Sequence, residues 1–383
     1  MLALNSGSSS LKFGLYRVES SIPKVLLSGE AEAIGGGQGK FWVKDANDKA
    51  LVSEPANFET QREALARIGK FLADCKEAQP VAVGHRVVHG GPSLRRHCLI
   101  DDAVLRQLEA ARIFAPLHVP AALSVIRFAQ QHFPRLPQVA CFDTAFHSRM
   151  PDVACTLPIP HDLRSDGIHR YGFHGLSCES VMRRLGVNRP DRIIIAHLGN
   201  GVSITAVKDG QSIDTSMGLT PTGGVIMGTR CGDLDPGILL YLMREKNFDA
   251  AGLEEVVDHR SGLLGISGID SDMRRLHEVS ASDPNARLAI QMFCYSIRKQ
   301  VAAMTAALEG VDLLIFTGGG IGEHDAKVRA EICDGLACLG ISLDPVRNRS
   351  SESAINQSTS RCLVWVLPSQ EDAQIAVQTW ELA

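Results

Sequence analysis

Two segments of this chain share one design. "LNSGSSSLKFGLY" (residues 4–16) and "LGNGVSITAVKDG" (residues 198–210) each read as strand, small polar turn, strand. Asn5 and Asn200 fall at matching places in the two. A motif repeated in each half of a 383-residue chain predicts a duplicated domain with a cleft between the copies. The turn itself has two readings. It is a plain hairpin, or its glycines and hydroxyls let backbone N–H groups cradle an anion.

The flanking sequence fits a mixed α/β chain. "LALN", "LKFGLYRV", "KVLLSGEAEAI" and "GKFWVKD" read as strands, then helices and strands alternate. Helices are expected at about 62–75, 236–245, 253–259, 287–308 and 326–339. "VDLLIFTGGG" reads as a buried strand entering a glycine loop, and "VSITAVKDGQSID" as a single strand. The expected division is 1–147 for the first domain, joined by the last helix 373–383, and 148–372 for the second.

Composition excludes several classes. A net charge of −4 gives no basic surface for nucleic acid or an anionic membrane. The longest apolar runs fall well short of the ~20 residues a membrane span needs. The ten cysteines show no C-x-x-C spacing and no zinc pattern, and with no secretory leader visible they read as reduced thiols of a cytoplasmic protein.

The polar residues at strand ends carry the chemical signal. "GHRVVHGG" holds His85, Arg86 and His89; "FAPLH" ends at His118; "FDTAFH" holds Asp143; "HRYGFHGLS" holds His174. "GVIMGTRCGDLDPG" holds Arg230, and "PSQEDAQIA" opens the last helix with Glu371 and Asp372. Any one of these has an ordinary structural reading. As a set they pair anion-binding arginines with carboxylates in separate loops, the pattern that suits Mg²⁺ on a phosphate. There is no Walker A or protein-kinase signature.

Those motifs, with "NSGSSSLKF", "HLGNG", "TSMGLTPTGG" and "FTGGGIGE", stand in the order and spacing of one family. The chain resembles the acetate kinases, part of the acetate and sugar kinase, Hsp70 and actin superfamily. The resemblance implies two ribonuclease-H-like (actin-like ATPase) domains flanking a catalytic cleft, a homodimer, and Mg²⁺-dependent phosphoryl transfer from ATP to acetate, with Mn²⁺ as a possible substitute. Propionate and other short-chain acids are alternative acceptors. A non-catalytic nucleotide-gated module of the same superfamily is the alternative from another class.

Residue by residue, the resemblance implies Arg86, His118, Asp143, His174 and Arg230 as catalytic. It places Arg86, Val88, Leu117, Phe173 and Pro221 around the acid substrate. Lys12, Ser8, Ser10, His197, Asn200 and Gly201 fall on the phosphate side of the nucleotide, and Asp272, Met273, Arg274, Gly320 and Ile321 near the adenosine. Asn5 and Glu371 hold the metal. The sequence departs from the family pattern at Val119, which follows His118 where a polar residue is usual, in an extra glycine in the 318–320 loop, and at His324.

Overall fold

A computed structural model of the chain describes residues 1–7, 9–19, 22–75, 79–116 and 118–383. Its contacts divide into two units. The first comprises Met1–Ser148, Gly175–Arg184 and Gln370–Ala383; the second comprises Arg149–His174 and Leu185–Ser369.

The first unit is built on an eight-stranded sheet in the order β5-β4-β3-β2-β1-β6-β8-β7. The strands are β1 (Leu2–Ser6), β2 (Leu11–Arg17), β3 (Lys24–Ala31), β4 (Gly39–Asp45), β5 (Ala50–Ala56), β6 (Val83–Val87), β7 (Cys98–Leu99) and β8 (Gln138–Phe142). β1 runs antiparallel to β2 and parallel to β6, and β6 runs parallel to β8. β5 escapes a sequence reading because it is a largely exposed edge strand carrying Pro55, with no apolar alternation to mark it.

Both faces of this sheet are covered. On one, the helix Gln61–Asp74 is capped by Thr60, whose side chain accepts from the Glu63 N–H, and it buries Leu65, Ile68 and Leu72 against Leu4, Phe13 and Val83. The helix Val119–His132 joins the same cluster through Val125 and Ala129 and packs on Val87, Ala140 and Phe142 through Val119, Leu123 and Ile126. On the other face, Leu176 and the terminal helix residues Ile375, Ala376 and Val377 pack on Ala3, Val139 and Cys141. Leu176 thus brings the helix Gly175–Leu185, all but its last residue, into the first unit. An apolar stripe says that a helix is buried but not against which sheet. Gly84 permits the terminal helix to lie close, since a Cβ there would stand 2.0 Å from Thr379 Oγ1.

The second unit carries a five-stranded sheet in the order β11-β10-β9-β12-β13. These strands are β9 (Arg192–Leu198), β10 (Val202–Lys208), β11 (Gln211–Thr215), β12 (Leu313–Thr317) and β13 (Leu363–Val366). The segment expected as one strand is a hairpin, β10 and β11, turning at Asp209-Gly210. Both residues have positive φ (52° and 82°), as a type I′ turn requires. The helix expected at 253–259 is a short α-helix, Ala250–Glu254, running into a π-helical turn, Glu255–His259.

The order β3-β2-β1-β6-β8 of the first sheet is repeated by β11-β10-β9-β12-β13, with the same directions: an antiparallel meander, then two parallel strands. The duplicated ribonuclease-H-like architecture is therefore present in full. Its register corrects one expectation. The last pair before the first turn is Ser6 with Leu11, and before the second turn Leu198 with Val202. Counted back from the turns, Asn5 corresponds to His197, and Asn200 lies in the turn itself.

Candidate active site

In the first unit the site grows from adjacent strand ends. Asn5 sits near the end of β1, Arg86 near the end of β6, and Asp143 directly after β8. Arg86 donates from Nε (2.9 Å) and Nη2 (2.7 Å) to Asp143 Oδ2, and from Nη1 to Asn5 Oδ1 (3.2 Å). Two donors on one carboxylate oxygen hold the guanidinium plane. Asp143 is 1% exposed, and its other oxygen, Oδ1, is buried without a hydrogen-bond partner. Burial pushes the Asp143 carboxyl upward, and Arg86 pulls it back. Burial also opposes the charge of Arg86, but Asp143, Glu371 and Asp372 together outweigh it, so the guanidinium stays protonated.

The terminal helix Glu371–Leu382 brings two acids to this cluster in its first turn, where the helix dipole favours negative charge. The Asn5 amide donates to Asp372 Oδ1 (2.8 Å) and, at longer range, to Glu371 Oε2 (3.4 Å). Lys12 pairs with Asn5 across the β1–β2 ladder, and its charge acts on Asp372. Ser10 is partly buried in the turn, where its carbonyl accepts from the Gly7 N–H at 2.9 Å and the Gln61 amide at 3.3 Å. Val88 is buried just past β6, and His118 stands at the N-cap of the helix Val119–His132. Val119 is fully buried in the core with Val87 and Leu123, so its apolar character serves packing. Ser8 and Leu117 lie outside the described residues.

This donor set suits a hard divalent cation. Asn5 and Glu371 offer oxygen, and the orphaned Asp143 Oδ1 is a further acceptor awaiting a donor or a hydrated ion. Among the described residues no group of three or more His, Cys, Asp or Glu forms a closed metal cage.

In the second unit His174 is the anchor. Its ring stacks on His197, with centroids 4.0 Å apart, and its Nδ1 is hydrogen-bonded to Ser203 Oγ at 2.9 Å. Its backbone is left-handed (φ 57°), a conformation costing a non-glycine residue on the order of 1 kcal/mol. Arg230 donates to the Pro221 carbonyl (3.2 Å). Gly201 lies against both: a Cβ there would stand 2.9 Å from His174 Nε2 and 3.3 Å from Arg230 Nη1. The missing side chain thus leaves a space with an imidazole and a guanidinium at its edge. Asn200 is exposed in the same turn, and Phe173 is buried beside His174.

The residues expected near the adenosine separate into two groups. Asp272 caps the helix Met273–Val279 and pairs with Arg274, which is 88% exposed on its side chain, while Met273 is committed to the core. Gly320 precedes the short helix Ile321–His324. Glu323, the last residue of the "FTGGGIGE" motif, organises this loop. Its buried Oε1 accepts from the N–H groups of Gly318 (3.1 Å), Gly319 (2.5 Å) and Ser369 (2.8 Å). Two of the loop amides are therefore satisfied by the chain's own carboxylate. Asp372 was likewise legible only as a neighbour of Glu371. Nothing in its spacing says that it, rather than Glu371, makes the shorter bond to Asn5.

Known proteins align with this chain from end to end. The acetokinase family model matches residues 1–377. An acetate kinase of Brachyspira hyodysenteriae is 40% identical over 402 aligned positions, covering 100% of this chain and 99% of its own. One from Nitrobacter hamburgensis is 41% identical, covering 100% and 96%. Among solved structures, a propionate kinase from Francisella tularensis superposes with a TM-score of 0.92 at 40% identity, covering 100% and 99%. Porphyromonas gingivalis acetate kinase gives 0.88 at 37%, covering 100% and 98%. With its strand-end arginines, acids and histidines carried on the duplicated fold that these relatives share, the chain belongs to the acetokinase family: it is a kinase that phosphorylates acetate, with ATP as phosphoryl donor and a divalent metal.

Proposed function

We propose that the chain transfers the γ-phosphoryl group of ATP directly and in line to the acetate carboxylate, giving acetyl phosphate and ADP, with Mg²⁺ as the preferred metal and Mn²⁺ as a substitute. The observation that carries the residue assignment is the cluster of Asn5, Arg86, Asp143 and Glu371 at the strand ends of the first unit.

Acetate is ionised near neutral pH, so it needs no general base. The difficulty is bringing two anions together and stabilising charge that spreads over the transferring oxygens. Arg86, held in plane by Asp143, binds the carboxylate and the incoming phosphoryl group. Arg230 and His174 donate to the phosphoryl oxygens, and His118 orients the acceptor. Ser203 holds the His174 ring through its hydrogen bond at Nδ1. Lys12, Ser8, Ser10, His197, Asn200 and Gly201 receive the nucleotide phosphates; Asp272, Met273, Arg274, Gly320 and Ile321 receive the adenosine. Asn5 and Glu371 would hold the Mg²⁺, which would supply positive charge to the nucleotide phosphates. Val88, Leu117, Phe173 and Pro221 enclose the methyl group.

The same reading includes a homodimer in the cytoplasm. The helices Pro236–Lys246 and Pro284–Ala307 expose Ile238, Leu240, Tyr241, Met292 and Tyr295, apolar side chains that a second copy would cover. Light scattering at micromolar concentration checks this, with a monomer as the contrary result. Among the described residues no helix is long and apolar enough to cross a membrane.

Trapping the acyl phosphate with hydroxylamine tests the reaction itself. Acetate, propionate and butyrate are each offered with ATP or GTP, and with Mg²⁺ or Mn²⁺. Acetate with ATP and Mg²⁺ is expected to react fastest. Faster turnover of propionate would move the assignment toward the activity named for the Francisella structure, and no product with any acid would sink it.

A further inference from the structure

We propose that Asp372 is a positioning residue for the metal: it fixes which way the Asn5 amide faces, and so which atom Asn5 offers to the cation. This rests on the reading of Asn5 and Glu371 as the metal-holding pair.

An asparagine amide has two ends of nearly equal shape and opposite chemistry. Only the oxygen can hold a cation. Asn5 lies between neighbours that leave it no choice. On one side, Asp372 Oδ1 (2.8 Å) and Glu371 Oε2 (3.4 Å) can only accept; on the other, Arg86 Nη1 (3.2 Å) can only donate. Turning the amide over would set its NH₂ against the guanidinium and its oxygen against a carboxylate. Two charge-assisted hydrogen bonds would become two repulsions.

The two acids do not contribute equally. The Glu371 contact is the longer, and Glu371 would be committed to the cation once the metal is held. Asp372 then remains as the acceptor for the amide NH₂. It is well placed to do so, because it rides on the first turn of the terminal helix, which is pinned to the sheet by Ile375, Ala376 and Val377. The arrangement is a ligand, its orienting carboxylate and a rigid support. Outer-shell partners of this kind typically change metal affinity or activity by about 10–100-fold when removed.

The test reads the metal directly. Mn²⁺ is titrated into the full-length protein with ADP present, and free Mn²⁺ is followed by electron paramagnetic resonance. Asp372→Ala is expected to weaken Mn²⁺ about tenfold and to raise the KM for Mg²⁺ by a similar factor, with the KM for acetate unchanged within twofold. Asp372→Glu, which keeps a carboxylate, is expected to recover most of the affinity; should the alanine variant fail to fold, it carries the test against Asp372→Asn. Mn²⁺ affinity within twofold of the parent in Asp372→Ala, beside a clear loss in Glu371→Gln, would overturn the proposal and leave the metal assignment standing. Unchanged binding in Glu371→Gln as well would overturn both. A loss of thermal stability with unchanged Mn²⁺ binding would show a merely structural role and also overturn it.

Discussion

The two hairpins of this protein share a backbone and differ in chemistry. At corresponding places the first unit carries Asn5, Lys12 and Arg86, and the second carries His197, Ser203 and Thr317. Behind them, the place of His85 in the first unit is taken by Phe316 in the second, as the strand pairing shows. The first unit surrounds its turn with full charges, Arg86 against Asp143, Glu371 and Asp372. The second lines its turn with the stacked rings of His174 and His197, the Arg230 guanidinium and bare glycine backbone. Duplication therefore supplied the frame twice, and the two copies differ in side chain at three corresponding strand-end positions.

The largest expected effect comes from removing the charge that distinguishes the first unit. Arg86→Ala should lower turnover by ~10²-fold or more, the scale of a lost transition-state donor. It also strands Asp143 as a buried unpaired carboxylate, at a cost of about 3–5 kcal/mol in stability. Steady-state kinetics and denaturant titration read the two separately, and near-parental turnover would remove Arg86 from the chemistry.

The second effect concerns His85. It is buried, with Nε2 2.6 Å from Gln138 Oε1, and burial pushes its pKa down to about 4 from 6.5. The unfolded chain therefore binds a proton that the folded chain refuses. Stability present above pH 6.5 is lost as pH falls toward 4 and then levels off, by up to about 3 kcal/mol. Melting curves across that range should show the decline, and His85→Leu should flatten it. An unchanged slope in the variant would assign the acid sensitivity elsewhere.

Third, Gly201→Ala probes the second unit's bare backbone. The added methyl meets the ends of two side chains, His174 and Arg230, and not backbone, so the fold can yield while the site cannot. Turnover is expected to fall by ~10- to 100-fold, as small misplacements of catalytic groups do, with little change in melting temperature. Equal losses in both would make Gly201 a packing residue. The smallest effect is on specificity: Val88→Ala should shift preference toward longer acids by about tenfold per methylene, the lower end for an apolar pocket. An unchanged acetate-to-butyrate ratio would take Val88 out of the substrate wall.

Much of this was legible in the sequence because chemistry and periodicity were local. Strand-end arginines, glycine turns and the paired hairpins announced a duplicated α/β fold and an anion site, and the ordered motifs named the family. What stayed hidden depends on register and on choice among neighbours. Asn5 and Asn200 are both asparagines near a glycine, but the registers of the two ladders make His197 the residue that corresponds to Asn5. Glu323 looked like the end of a loop motif until its carboxylate was seen to accept from three amides.

The division follows from what carries the information. Burial patterns and turn residues act within a few positions, so the sequence by itself determined most of the elements, their repetition and the residue types of the site. Which carboxylate orients Asn5, which amides are already occupied and which unit receives the helix at 175–185 are settled by contacts between segments up to 367 positions apart. Such contacts come into being only when the strands have taken their register and the terminal helix has packed on the sheet.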